Sequence, residues 1–110
     1  MLGARFAIVL AAATLWACGP VQSTSFLMDA ETMLEAARTA QAEKLSPYEW
    51  TAANLYLHKS KEEVGYADFE QAVDYAKKAV DFATRARDGA VKSVRRGERP
   101  GTVGSTARPE

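Results

Sequence analysis

The chain of 110 residues has one cysteine and one histidine. A lone cysteine, Cys18, cannot close a disulfide within the chain, so stability has to come from packing alone. A lone histidine, His58, cannot assemble a zinc site, which needs three or four ligands, and it reads as a surface residue of a helix. Long apolar runs are missing too. The longest, Phe6 to Ala17, has about twelve residues, short of the roughly 20 that a membrane-spanning helix requires. No stretch alternates β-branched with polar residues, so strands have nowhere to form. No glycine-rich loop opens a helix for phosphate, and no serine stands in a nucleophile elbow. Glu62-Glu63 and Asp68-Glu70 are carboxylates at helix ends, where solvated charge and caps are expected. Three small helices leave little room for the desolvated cleft that acid catalysis needs. No catalytic, cofactor-binding or metal-binding residue is expected, and no enzyme.

Charge is balanced overall and segregated locally. Cys18 to Thr84 holds eleven acids and six Lys or Arg, whereas from Arg85 onward there are seven Lys or Arg against Asp88, Glu98 and Glu110. The basic end reads as a solvated tail. It also suits an anionic surface such as lipid headgroups or peptidoglycan. Nucleic acid is not expected, because aromatic residues do not interleave with the basic ones.

The position of Cys18 is the most informative feature present. A short start with one charge, Arg5, precedes the apolar run, which closes on Leu15-Trp16-Ala17. That is the layout of a secretory signal peptide. With cysteine next, the segment resembles the bacterial lipoprotein signal, whose lipobox ends in a small residue followed by Cys. The resemblance implies cleavage between Ala17 and Cys18 and acylation of Cys18, which would hold the protein on a membrane. Several acyl chains anchor stably, at about 0.8 kcal/mol per buried methylene. Gly19, in place of an Asp, is compatible with the outer membrane by the enteric sorting rule.

Beyond the anchor, 18–24 read as a tether, with Gly19-Pro20 as a breaker. A first helix is expected from about Ser25 to Lys44, with Phe26, Ala30, Met33, Ala37 and Ala40 on one stripe. Ser46-Pro47-Tyr48-Glu49 is a capping box with Pro at the first helical position, predicting a second helix that stops at Gly65. It carries two apolar stripes, one through Tyr48, Ala52, Leu55 and Tyr56, the other through Trp50, Ala53, Leu57 and Val64. Two stripes predict neighbours on both sides and hence the middle place. Asp68, with Gln71 three residues on, predicts the start of a third helix. Successive 100° steps gather Phe69, Ala72, Val73, Tyr75, Ala76, Ala79, Val80, Phe82, Ala83 and Ala86 on one half of it. Glu70, Asp74, Lys77, Lys78, Asp81 and Arg85 fill the other. The helix reaches Arg87 and extends toward Arg96, before Gly97 and Pro100 end order.

Two resemblances rest on these residues. Asp68-Phe69-Glu70-Gln71-Ala72-Val73-Asp74-Tyr75-Ala76-Lys77-Lys78-Ala79 resembles the second helix of a tetratricopeptide repeat, and Asn54-Leu55-Tyr56-Leu57 part of its first. The stretch from Leu55 to Phe69 is about four residues too long for that repeat. More of the chain, from about Met28 to Arg87, is similar to the bacterial domain-of-unknown-function family 4398, small helical domains on lipoproteins. The similarity rests on Ser46-Pro47-Tyr48-Glu49, on Ala53 with Tyr56-Leu57 and Lys59, and on Asp68-Phe69 with Ala72, Ala76 and Ala79. It implies a fold and an address, and no activity.

The expected organisation is a lipoprotein signal peptide at 1–17, a tether at 18–24, a helical domain at 25–96 and a disordered tail at 97–110. The fold class is all-α, an antiparallel three-helix arrangement built from a tetratricopeptide-like hairpin and one further helix. Phe69, Ala72, Tyr75, Ala76, Ala79, Phe82 and Ala83 are candidates for a partner groove. Tyr48, Trp50 and Tyr56 are candidate anchor aromatics. A heptad through Phe69, Val73, Ala76, Val80 and Ala83 would suit self-association. The expected role is a membrane-anchored structural or protein-interaction module of the cell envelope, on the outer membrane facing the periplasm. An envelope protein or a second copy is the expected partner, and binding of peptidoglycan or another anionic envelope polymer by the basic end is the alternative.

Overall fold

In a computed structural model the residues described are 3–8 and 18–97. Beyond a helical stretch at 3–8, four helices follow one another: α1 (Cys18–Thr39), α2 (Ala42–Leu45), α3 (Pro47–Gly65) and α4 (Phe69–Arg95). The described residues contain no strand, so the fold is all-α. No helix among them is long and apolar enough to cross a membrane. Ala17, most of the expected signal segment and the expected tail beyond Gly97 lie outside the described residues.

The tether expected at 18–24 is helix instead, and α1 begins at Cys18. Pro20 does not prevent this. In a first turn the N–H that proline lacks has no intrahelical acceptor, and its fixed φ already suits a helix. The other end of α1 also differs from expectation. In place of one helix to Lys44, the chain turns at Gln41, which adopts a left-handed conformation (φ 61°, ψ 33°). The turn aims Ala42 and Leu45 of α2 onto Ala86 and Ala90 of α4. Left-handed backbone costs about 1–2 kcal/mol, and burying one leucine returns about 1.5–3 kcal/mol.

The boundaries of α3 and α4 fall where the sequence puts them. The cap of α4 is as expected, Gln71 N–H donating to Asp68 Oδ1 at 3.1 Å. The cap of α3 is not. Ser46 Oγ takes no backbone N–H and donates to Glu49 Oε2 at 2.8 Å. α3 ends in a Schellman turn, with Asp68 N–H bonded to Glu63 O and Ala67 N–H to Val64 O. The left-handed residue of that turn is Ala67 (φ 60°), not Gly65.

Residue pairs fix how the helices lie. Ser60 meets Ala72, Ala53 meets Ala83 and Ser46 meets Gly89, so α3 and α4 run in opposite senses. Phe26 meets Lys77, Leu34 meets Ala83 and Ala37 meets Ala86 and Ala90, so α1 and α4 run in the same sense. α1 and α3 touch each other less than either touches α4. The helix at the centre is therefore α4 rather than the second long helix, and on α3 Tyr48 and Leu55 stay largely exposed.

The reason is visible in which residues are buried. On α4 they are Ala72, Ala76, Ala79, Ala83, Ala86, Ala90 and Ser93, alternating four- and three-residue steps without a break. α1 contributes Ser23, Ala30 and Ala37 at steps of seven, and α3 with its cap contributes Ser46, Ala53 and Ser60 at the same step. This is the spacing of a coiled-coil seam, filled with the smallest side chains. Among the described residues nothing larger than serine is completely buried; Leu34 and Leu45 come nearest. Small residues let helix axes approach to about 8 Å, where backbones themselves make van der Waals contact. The buried Ser60 hydroxyl is satisfied by Ala72 O at 2.6 Å, avoiding an unpaired polar group. Of the heptad expected from sequence, Ala76 and Ala83 lie in this seam, whereas Phe69, Val73 and Val80 are only partly buried.

Two outcomes follow for urea denaturation. Ala83→Leu, which puts bulk where Leu34 and Ala53 meet α4, should destabilise by about 1–3 kcal/mol, whereas Leu55→Ala on the open face should change stability by less than about 0.5 kcal/mol. At Gly89 a Cβ would stand 2.8 Å from Ser46 Oγ. Gly89→Ala should therefore not yield its usual helix gain of about 1 kcal/mol until Ser46→Ala is also made. The double-mutant cycle should return a coupling of about 1 kcal/mol.

Candidate functional site

The alanines nominated for a partner groove are covered from within. Ala72, Ala76, Ala79 and Ala83 have no exposed surface, because α1 and α3 lie on them. The stripe is the inner seam of the module, and an incoming helix would have to displace one of its own. Phe69, Tyr75 and Phe82 of the same group are half-buried along its margins.

The candidate aromatics separate into two sets. Trp50 turns inward and packs against both buried clusters, one with Ala37, Leu45, Ala86 and Ala90, the other with Leu34, Ala53 and Ala83. Arg38 lies over its ring at 5.9 Å. Tyr48 and Tyr56 instead join Tyr75 and Phe82 in a strip along the outer face of the α3–α4 pair. Tyr56 stacks on Phe82, centroids 5.5 Å apart and planes at 16°. Tyr75 continues the strip at 6.0 Å from Tyr56, and Tyr48 meets Phe82 edge-on at 6.3 Å. Tyr48 is 71% exposed. The sequence does not announce this juxtaposition, since it sets Tyr75 and Phe82 in one feature and Tyr48 and Tyr56 in another.

Cations cover the strip. Lys78 Nζ stands 5.6 Å from the centroids of both Tyr56 and Tyr75, and the Arg85 guanidinium lies 4.1 Å from that of Phe82. Arg85 is held there by Asp81, one turn earlier, at 2.6 Å. Such contacts contribute about 0.5–1 kcal/mol each at exposed sites. The ring faces thus already have partners, and within the strip Tyr48 is the aromatic that offers most free surface.

Elsewhere the polar groups look like those of solvated helix faces. His58 is exposed. Lys59 has its pKa raised by a hydrogen bond from its ammonium to Glu62 and by that carboxylate's charge. The charged lysine thus favours the folded state at any pH below its ordinary range, and the advantage fades as pH climbs through the raised value. Lys61 reaches across to Glu31 on α1 at 2.6 Å. Among the described residues no three His, Cys, Asp or Glu side chains gather closely enough for a metal ion.

Comparison with protein-family models, with curated proteins and with solved structures finds no match for this chain.

The two aromatic sets should separate on mutation. Tyr56→Ala, which removes the ring between Phe82 and Tyr75, should cost about 1.5–3 kcal/mol in thermal or urea unfolding. Tyr48→Ala should cost less than about 1 kcal/mol.

Proposed function

We propose that this chain is a lipid-anchored, non-catalytic module of the bacterial cell envelope, acting by contact with other envelope components. Acyl chains on Cys18 supply the membrane attachment, after cleavage behind Ala17. The helices supply a rigid body, a tetratricopeptide-like hairpin of α3 and α4 with α1 beside it, of the kind implied by the resemblance to family 4398. The outer membrane, periplasmic side, is the proposed location.

The observation that carries this reading is the sequence placement of the lone cysteine, directly behind a small residue that closes a short apolar run. The module adds support, since its inner surface is consumed in packing α1, α3 and α4 together. What remains for a partner is its outside, where Tyr48 and Leu55 are exposed on α3. A folded body with those features is suited to contact.

Substituting Cys18→Ser tests the anchor. The intact mass of the wild-type protein purified from membranes should carry the added acyl chains and lack residues 1–17. The variant should leave the membrane pellet for the soluble fraction. An unmodified thiol on the native protein, or a variant that still pellets, contradicts the reading.

A further inference from the structure

The direction of α1 settles which end of the module any anchor occupies. α1 starts at Cys18 and runs alongside α4 in the same sense, with Gln22 level with Phe69 and Glu70. Cys18 is therefore at the end where α4 begins, and Arg95 is at the other. α4 has 27 residues, so the two ends are about 40 Å apart.

Charge follows the same axis. The half nearer Cys18 (18–31, 56–65 and 68–80) holds seven acids against four lysines. In the far half, 32–55 and 81–97, five acids face seven Lys or Arg. Pairing sharpens the contrast, because Asp81 and Asp88 hold Arg85 and Arg87. Past Asp88 α4 carries no acid at all, and Lys92, Arg95 and Arg96 are all exposed. Arg96 rests on Ser93 Oγ at 3.4 Å, and neither Lys92 nor Arg95 joins an ion pair among the described residues. On α2, Glu43 and Lys44 offset each other. Between the cations, Val91 and Val94 are 39% and 58% exposed.

We propose that this basic tip of α4 docks the carboxylate-bearing polymer of the cell wall, peptidoglycan, beyond the membrane that holds Cys18. The proposal rests on the lipid anchor above for its orientation. The bilayer is the wrong occupant on distance. Fixed charges are screened over about 8 Å at physiological salt, and the tip lies several such lengths from Cys18. The acidic half beside Cys18 repels anionic headgroups and keeps the tip directed away from them. A polyanion offers several carboxylates at once to Lys92, Arg95 and Arg96, while Val91 and Val94 can rest on its methyl-bearing peptide stems.

The test is co-sedimentation of the full mature protein, in detergent, with purified peptidoglycan sacculi, and in a parallel arm, after removal of the detergent, with anionic phospholipid vesicles. Wild type should pellet with sacculi at low salt and be released by added salt. The triple substitution Lys92→Gln, Arg95→Gln and Arg96→Gln should reduce the pelleted fraction about tenfold, with circular dichroism confirming that it stays helical. Lys59→Gln, at the opposite end, should pellet like wild type. Equal pelleting of the triple variant and wild type overturns the proposal, as does a tip-dependent attachment to vesicles in place of sacculi. Should the triple variant unfold, wild-type pelleting that resists salt overturns it equally. Failure of the anchor is read separately, by mass: an acylated protein that ignores sacculi sinks this inference alone. A non-acylated protein that binds them sinks the anchor and leaves the tip as a polyanion site.

Discussion

The structure depends on a seam of alanine and serine where three helices meet. α4 lines it at four- and three-residue steps from Ala72 to Ser93, and α1 and α3 each supply small residues at steps of seven. With no disulfide open to a single cysteine and almost no large apolar side chain fully buried, close approach of backbones has to do what bulk does in larger cores. The arrangement is steric before it is hydrophobic. A methyl group buries little area, but an unbroken row of them permits contact along the whole length of a helix. Gly89 belongs to the same logic, since even a Cβ there would run into Ser46.

The seam explains where the aromatics are. Rings are too large for its interior, so Trp50 closes it from the side and Tyr48, Tyr56, Tyr75 and Phe82 form a separate layer outside the α3–α4 pair. Lys78 and Arg85 then cover that layer. Because the inner surface is used up in this way, any partner must meet the module on its outer faces or at its ends. The ends also differ in charge, which gives the module a polarity along α4.

Much of this is legible in the amino-acid order. The exposed half of α4, Glu70 to Arg85, follows from a 100° periodicity, and its start follows from the pairing of Asp68 with Gln71. Pro47 and Gly65 mark α3 correctly. Other features have no visible mark. Left-handed turns at Gln41 and Ala67 use residues that do not advertise such a conformation. Pro20 looks like a break because the same residue that stops a helix also suits its first turn. The covering of the alanine stripe is hidden for a different reason. A stripe of alanines looks the same bare or packed, and what covers it includes Ser23, Ser46 and Ser60, which a search for apolar residues passes over. The heptad expected from sequence shares Ala76 and Ala83 with the seam, but its larger members, Phe69, Val73 and Val80, are only partly buried.

Methyl–methyl contacts test that seam most directly. In a protein labelled with ¹³C at alanine methyls, nuclear Overhauser cross-peaks should join Ala53 to Ala83, and Ala37 to Ala86 or Ala90. Their presence would mean that α1 and α3 both lie against α4 at small-residue distance. If those alanines show contacts only within their own helices, something other than the seam holds the helices together, and close packing of small residues is not the basis of the fold.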